Sequence, residues 1–275
     1  MSPSFTIQSK DNLPSQSHLV IEINLWGISY VVIGEDDVCM ALICYHYPAD
    51  TGLDKAAIII KQSVAANSIL QETFSKITVI YAFPTVILVP KHFIKSANTK
   101  EILELQQGDV SDAYFRSELN YKQDIQINYA IPKQIDAVLS YLFSADISMH
   151  QYGLLPTLST FTQQHLYCIF GIGQFTAMLI KEGKLQCIQS YSFKVPEDIT
   201  FFLLQLCESF EISTEEVELQ LNGMIDQKSN LYEELHNYFL KINFGTLPLN
   251  FTYPESINEY PEHYFSHLFQ MIACV

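Results

Sequence analysis

Three short runs carry residue types that could handle a ligand. Ile23-Asn24-Leu25-Trp26-Gly27-Ile28-Ser29 interrupts an apolar strand pattern with an amide, an indole and a glycine. Phe170-Gly171-Ile172-Gly173-Gln174-Phe175 interrupts another with a Gly-x-Gly. Glycines after a strand let backbone N–H groups close on an anion, but the same spacing also makes an ordinary tight turn. Leu219-Gln220-Leu221-Asn222-Gly223 ends in Asn-Gly, a generic turn dipeptide. A further candidate is His263 with His267, an i, i+4 pair beside Glu262 whose imidazoles could share a metal from one helix face. The zinc-protease order places its glutamate directly after the first histidine; Tyr264 stands there, so the surface of an ordinary helix accounts for the pair. Glu22 lies two residues before Asn24, hence on the same strand face, and a solvated or edge position is the simplest place for it. The chain has no serine nucleophile elbow, P-loop or repeated Cys/His metal spacing, and so no apparatus for nucleophilic or phosphoryl-transfer chemistry.

The elements that must position these runs come in two matching sets. Sliding the chain so that Ile21 falls on Cys168 also lays Ile23 on Phe170, Ile28 on Phe175, Val32 on Leu179 and Ile33 on Ile180. The match is one of apolar phase, with identities at His18/His165, Leu19/Leu166 and Glu35/Glu182, and it reads as divergent duplication. Residues 19–47 and 166–193 each form a three-strand meander broken by a charged turn, Gly34-Glu35-Asp36-Asp37 or Lys181-Glu182-Gly183-Lys184. After the first meander the pattern predicts a helix over 54–74, strands at 77–82, 85–89 and 125–129, and helices at 99–107 and from Pro132 onward. After the second it predicts a helix over 198–210, a strand through Val217, Leu219 and Leu221, a helix over 229–240, a strand at 242–244 and a last helix over 261–273.

Composition narrows the classes of function. The chain has 275 residues, 48% of them apolar, enough for one large domain or two lobes. Thirty Asp and Glu against fifteen Lys and Arg leave a formal charge of −15, which repels a phosphate backbone and disfavours nucleic acid as a partner. Six cysteines, none in a C-x-x-C pair, read as buried reduced thiols and fit a cytoplasmic location. No signal peptide and no membrane-spanning run is visible, so membrane insertion is not expected. Tyr253, Tyr260, Tyr264, Phe265 and Phe269 concentrate aromatic surface near the C-terminus, as core or as a docking face, with core favoured.

Strand-strand-strand-helix-strand-helix-strand-helix, twice over, resembles the actin-like ATPase superfamily of sugar kinases, heat-shock chaperones, actin and its pilus-assembly relatives. The flavour is closest to an uncharacterised Bacteroidetes family with that fold, to which the paired meanders and the strand Thr85-Val86-Ile87-Leu88-Val89-Pro90 are similar. The resemblance implies an α/β fold of two duplicated actin-like, ribonuclease H-like lobes, residues 1–146 and 147–275, each a mixed five-stranded sheet with helices. Active relatives turn their first meander through Asp-x-Gly-Thr, whose carboxylate holds the metal-bound water. Here Asn24 stands at the Asp and Trp26 at the Gly, with Gly27 one residue later. In the second turn Gly171 replaces the carboxylate, while Gly173 is kept beside Gln174; of the adenosine-side Gly-Gly, Asn222-Gly223 keeps one glycine.

These substitutions lead to the expectation of a non-catalytic cytoplasmic protein, a degenerate actin-like ATPase fold kept as a binding or scaffolding module with a protein partner and no cofactor. One alternative is a divergent nucleotide binder or weak ATPase that holds ATP and Mg in the cleft between lobes through Asn24, Trp26, Gly27, Gly171, Gly173, Gln174, Asn222 and Gly223. The other, on fold analogy alone, is a partner-docking component of an envelope or pilus-like assembly.

Overall fold

The computed structural model describes residues 2–11, 13–94, 98–155 and 164–275. The chain divides into two compact units, Met1–Gly153 with Leu249–Ile257, and Leu154–Pro248 with Asn258–Val275.

The first unit is built on a sheet of β1 (Phe5–Gln8), β2 (His18–Ile23), β3 (Gly27–Ile33), β4 (Cys39–His46), β5 (Lys76–Tyr81) and β9 (Ile147–His150), in the order β1-β4-β3-β2-β5-β9. β2, β3 and β4 are the antiparallel meander, and β5 and β9 continue from β2 in parallel. Both neighbours of β2 are strands, so its HLVIEI run is buried along nearly all its length. β1 adds a sixth strand to the five expected, through pairs such as Phe5 with Cys44. A cut after residue 146 is corrected by β9: its four residues pair with Thr78–Tyr81 and so belong to the first unit.

Between β4 and β5 runs α1 (Leu53–Ala66), which buries Ala56, Ile59, Ile60, Ser63 and Val64. The Tyr30 hydroxyl meets Ser63 Oγ at 2.8 Å and ties α1 to β3. The expected helix over 54–74 stops early because Asn67 turns extended and its Nδ2 donates to Ser63 O and Tyr45 Oη, both at 2.6 Å; a 3₁₀ turn, Ser68–Gln71, follows. A second, three-stranded sheet of β6 (Val86–Pro90), β7 (Ala113–Asn120) and β8 (Ile125–Pro132), in the order β6-β8-β7, is inserted between β5 and β9. It packs Ile87, Val89 and Ala130 on Leu103 of α2 (Thr99–Gln107). The helix α3 (Lys133–Leu142) and the single turn α4 (Gln151–Leu154) flank β9 in the chain.

The second unit carries β10 (His165–Phe170), β11 (Gln174–Lys181), β12 (Lys184–Ser192), β13 (Glu218–Gly223) and β14 (Lys241–Phe244), in the order β12-β11-β10-β13-β14. This repeats β4-β3-β2-β5-β9 of the first unit strand for strand, with the same antiparallel and parallel pairings. The hairpins agree in register. His18 pairs with Ile33 and Ile23 with Ile28, while His165 pairs with Ile180 and Phe170 with Phe175. The bulge falls at the same place, between Val32 and Ile33 in one and between Leu179 and Ile180 in the other. A shared bulge is a shared backbone irregularity, a stronger mark of duplication than apolar phase.

α5 (Pro196–Ser209) starts at Pro196, with the Asp198 carboxylate accepting the Lys194 and Val195 N–H groups at 2.8 and 3.2 Å. It buries Ile199, Leu203 and Leu206 on the sheet, together with Leu235 of α6 (Asn230–His236). The last helix is shorter than 261–273: a 3₁₀ turn, Glu262–Tyr264, leads into α7 (Ser266–Ile272). Phe265 and Phe269 are fully buried, so the C-terminal aromatics serve largely as core.

Candidate functional site

The two candidate turns have one geometry. Asn24 N–H donates to Gly27 O at 3.1 Å, and at the matching positions Gly171 N–H donates to Gln174 O at 2.8 Å. The strand preceding each turn is tied to the neighbouring parallel strand in the same way: Ala82 N–H to Ile23 O at 2.8 Å, and Met224 N–H to Phe170 O at 2.7 Å. Trp26 thus occupies the place of Gly173, which has φ +67.

In the first turn Asn24 Oδ1 accepts the Trp26 N–H at 2.7 Å, an Asx turn, while Trp26 O accepts the Tyr47 N–H at 2.7 Å. The Asn24 N–H, the Trp26 N–H and the Trp26 carbonyl are therefore all engaged in closing the hairpin. Gly27 is required by packing, because a Cβ there would stand 2.5 Å from Tyr45 O. A phosphate turn also needs an anion to hold the metal, and the amide of Asn24 supplies none.

Glu22 corrects the expectation of a solvated or edge position. β2 is an interior strand, and Glu22 is 9% exposed, hydrogen-bonded to Asn24 and Ser29. Burial pushes its carboxyl up to about 7, which disfavours the charged form. It also pushes up Cys44 and Tyr47, which share its surroundings. The signal was present in the sequence: a glutamate within a run as apolar as His18–Ile23 lies on a strand covered on both faces.

In the second unit Gly171, Gly173 and Gln174 share one turn, and Asn222 and Gly223 are brought beside it because Ile169 pairs with Asn222 and Phe170 with Gly223. Gly223 has φ +80, and a Cβ there would collide with the Phe170 backbone. Asn222 is fully buried: its Nδ2 donates to Cys168 O at 3.1 Å and its Oδ1 accepts from Ser266 Oγ at 2.8 Å. It bolts β13 to β10 and α7, and both ends of its amide are engaged.

His263 and His267 do not lie on a helix surface; both are buried, at 7% and 9% exposed. His263 Nε2 meets Ile225 O at 2.7 Å, and burial lowers His267 to about 4. Among the described residues no group of three His, Cys, Asp or Glu side chains is placed to hold a metal ion. Sequence reasoning missed a pocket of about 280 Å³ beside the first turn, lined among others by Trp26, Tyr47, Gly52, Ala56 and Ile135. Its residues come from the β4–α1 loop, α1 and α3, which no local pattern links to Trp26.

Among solved structures the chain is similar to a protein of actin-like ATPase fold and unknown function from Bacteroides thetaiotaomicron, at 16% identity over 83% of this chain and 90% of that one, with a TM-score of 0.73. It is also similar to a structure of the PilM–PilN type IV pilus biogenesis complex, at 13% identity over 94% and 99% of the two chains, with a TM-score of 0.63. A third is the ethanolamine utilization protein EutJ from Carboxydothermus hydrogenoformans, at 8% identity over 95% and 90%, with a TM-score of 0.55. No curated protein sequence matches the chain. At these identities the likenesses establish the fold, which is that of the actin-like ATPases. Residues 8–242 match the family DUF3822, described as a protein of unknown function, and the chain belongs to that family.

Proposed function

We propose that this chain is a non-catalytic binding or scaffolding module, an actin-like frame whose phosphate turns have been rebuilt as structural hairpins, acting in the cytoplasm on a protein partner. The observation that carries the reading is the closed first turn: Asn24 Oδ1 holds the Trp26 N–H, and neither Asn24 nor Gly171 offers a metal-binding carboxylate. Asn222 supports it, since both ends of its amide are engaged in the core. Cytoplasmic action is supported by the free cysteines, of which Cys39, Cys44, Cys168 and Cys207 are buried with thiols raised by desolvation. Among the described residues no helix is long and apolar enough to cross a membrane. A protein partner agrees with the fold shared with PilM, which was solved with PilN.

The test is thermal melting with and without Mg-ATP, backed by calorimetry. A ligand at a hundred times its dissociation constant adds roughly 2.7 kcal/mol to stability. The reading expects no shift; a clear rise, or phosphate release abolished by mutating the turns, refutes it. The second reading, a divergent nucleotide binder or ATPase, is favoured by one observation. Gly173 and Gly223 keep the positive φ, +67 and +80, that a backbone cradle for an anion requires.

A further inference from the structure

Two cavities lie side by side on the first unit, with Leu25 and Leu53 lining both. The larger, about 280 Å³, runs from Trp26 and Tyr47 to Ile135 of α3; the smaller, about 170 Å³, is walled by Phe83, Pro84, Val110 and Pro132. Both fall below the roughly 300–1,000 Å³ typical of sites that enclose a small-molecule ligand, and each suits a single apolar side chain. Leu25, at the tip of the sealed turn, is 38% exposed between them. Three exposed carboxylates border the pair: Asp50 on the larger cavity, Asp109 and Asp112 on the smaller. Lys133 answers Asp112: its Nζ stands 3.9 Å from Asp112 Oδ1 and donates to Ser111 O at 2.7 Å.

We infer that this double cavity docks a cationic, apolar segment of a protein partner, which seats one apolar side chain in each pocket and sets its lysines or arginines against Asp50, Asp109 and Asp112. Charge selects this occupant. A second copy of the chain brings another −15, and nucleic acid brings phosphates, so both are repelled by an acidic rim. Apolar anchors in pockets with complementary charges around them are the arrangement by which peptide segments are recognised. The inference rests on the proposed binding-module role and names the chemistry of its partner.

Trp26 is the only tryptophan and lines the larger cavity, so its fluorescence reports on this site alone. The probe is a short synthetic peptide alternating leucine and lysine, titrated at physiological ionic strength beside its leucine–glutamate counterpart. The lysine peptide is expected to shift Trp26 emission saturably and the glutamate peptide to leave it unchanged. Asp109→Asn with Asp112→Lys is expected to weaken binding about tenfold. Asn preserves the acceptor that Ser111 N–H uses at 2.8 Å, and circular dichroism checks that the variant folds. Leu25→Ser, at an exposed position, is expected to weaken it as well. Glu215→Gln with Glu216→Lys makes the same change in charge on the second unit and is expected to leave binding unaltered. A silent Trp26, an equal loss in that control pair, or full binding by Leu25→Ser overturns the inference. Failure of the peptide with no Mg-ATP shift removes this docking site alone; Mg-ATP hydrolysis removes the non-catalytic reading itself.

Discussion

Replacing Glu22 by Gln should remove a pH-dependent weakness from the centre of the first sheet. The Glu22 carboxyl is raised from 4.5 to about 7 chiefly by burial, with bonds to Asn24 and Ser29 opposing the shift in part. Between those values the unfolded chain has released its proton while the folded chain still holds it. The unfolded state then binds fewer protons, and stability falls as pH rises. At 1.36 kcal/mol per unit, the loss approaches about 3 kcal/mol once the pH is above 7. Below 4.5 both states are protonated and the penalty vanishes. Buried histidines act in the opposite sense: His150 and His267 are lowered to about 4, so their contribution disappears as pH falls from 6.5 toward 4. The parent protein should therefore lose stability on both sides of an intermediate pH, and only the difference between parent and variant isolates Glu22. Gln keeps a polar group for Asn24 and Ser29 but cannot ionise. Urea unfolding, followed by circular dichroism and by Trp26 emission, should show near-equal stability at about pH 4.5 and a gain of about 3 kcal/mol for the variant at about pH 8. A difference that does not change with pH would refute the burial of this carboxyl.

The backbone and the inserted sheet supply further tests. Gly108 and Gly223 both have positive φ, +86 and +80, but a Cβ at Gly108 meets nothing within 4 Å while one at Gly223 strikes the Phe170 backbone. Gly108→Ala should cost about 1–3 kcal/mol of backbone strain. Gly223→Ala should cost more, because the β10–β13 pair must separate at that end; similar urea midpoint shifts would contradict the geometry. Asn128, in the middle of β8, is fully buried with neither end of its amide hydrogen-bonded. Asn128→Val should raise stability by about 1–3 kcal/mol, read as a higher urea midpoint, since it removes a desolvated amide. A fall would mean that Asn128 has a partner in solution.

Much of the frame was legible because its signals are local. Alternation in residues 19–47 and 166–193 defined both meanders, and charged or glycine-containing turns marked their corners. The offset that lays Ile21 on Cys168 also relates the two hairpin registers, while the shared bulges, a backbone irregularity, became visible only in the fold. That Asn24 and Gly171 carry no carboxylate is likewise a statement about residue identity. Helix ends were less legible. Asn67 halts α1 by reaching Tyr45 Oη on a strand twenty-two positions earlier, a contact that no propensity encodes.

The environment of each polar side chain was decided by the tertiary structure. Period two places Glu22 on one face of β2 with Val20, but whether that face meets water depends on which elements cover it. Glu22 was buried by its place in the middle of the sheet, His263 and His267 by the packing of the last helix, and Asn222 by Ser266, forty-four residues away. The cavities around Leu25 likewise join segments distant in the chain. Residue type and spacing are properties of the chain and can be read along it. Burial, a carboxyl's ionisation and the shape of a pocket are sums over neighbours that only folding brings together.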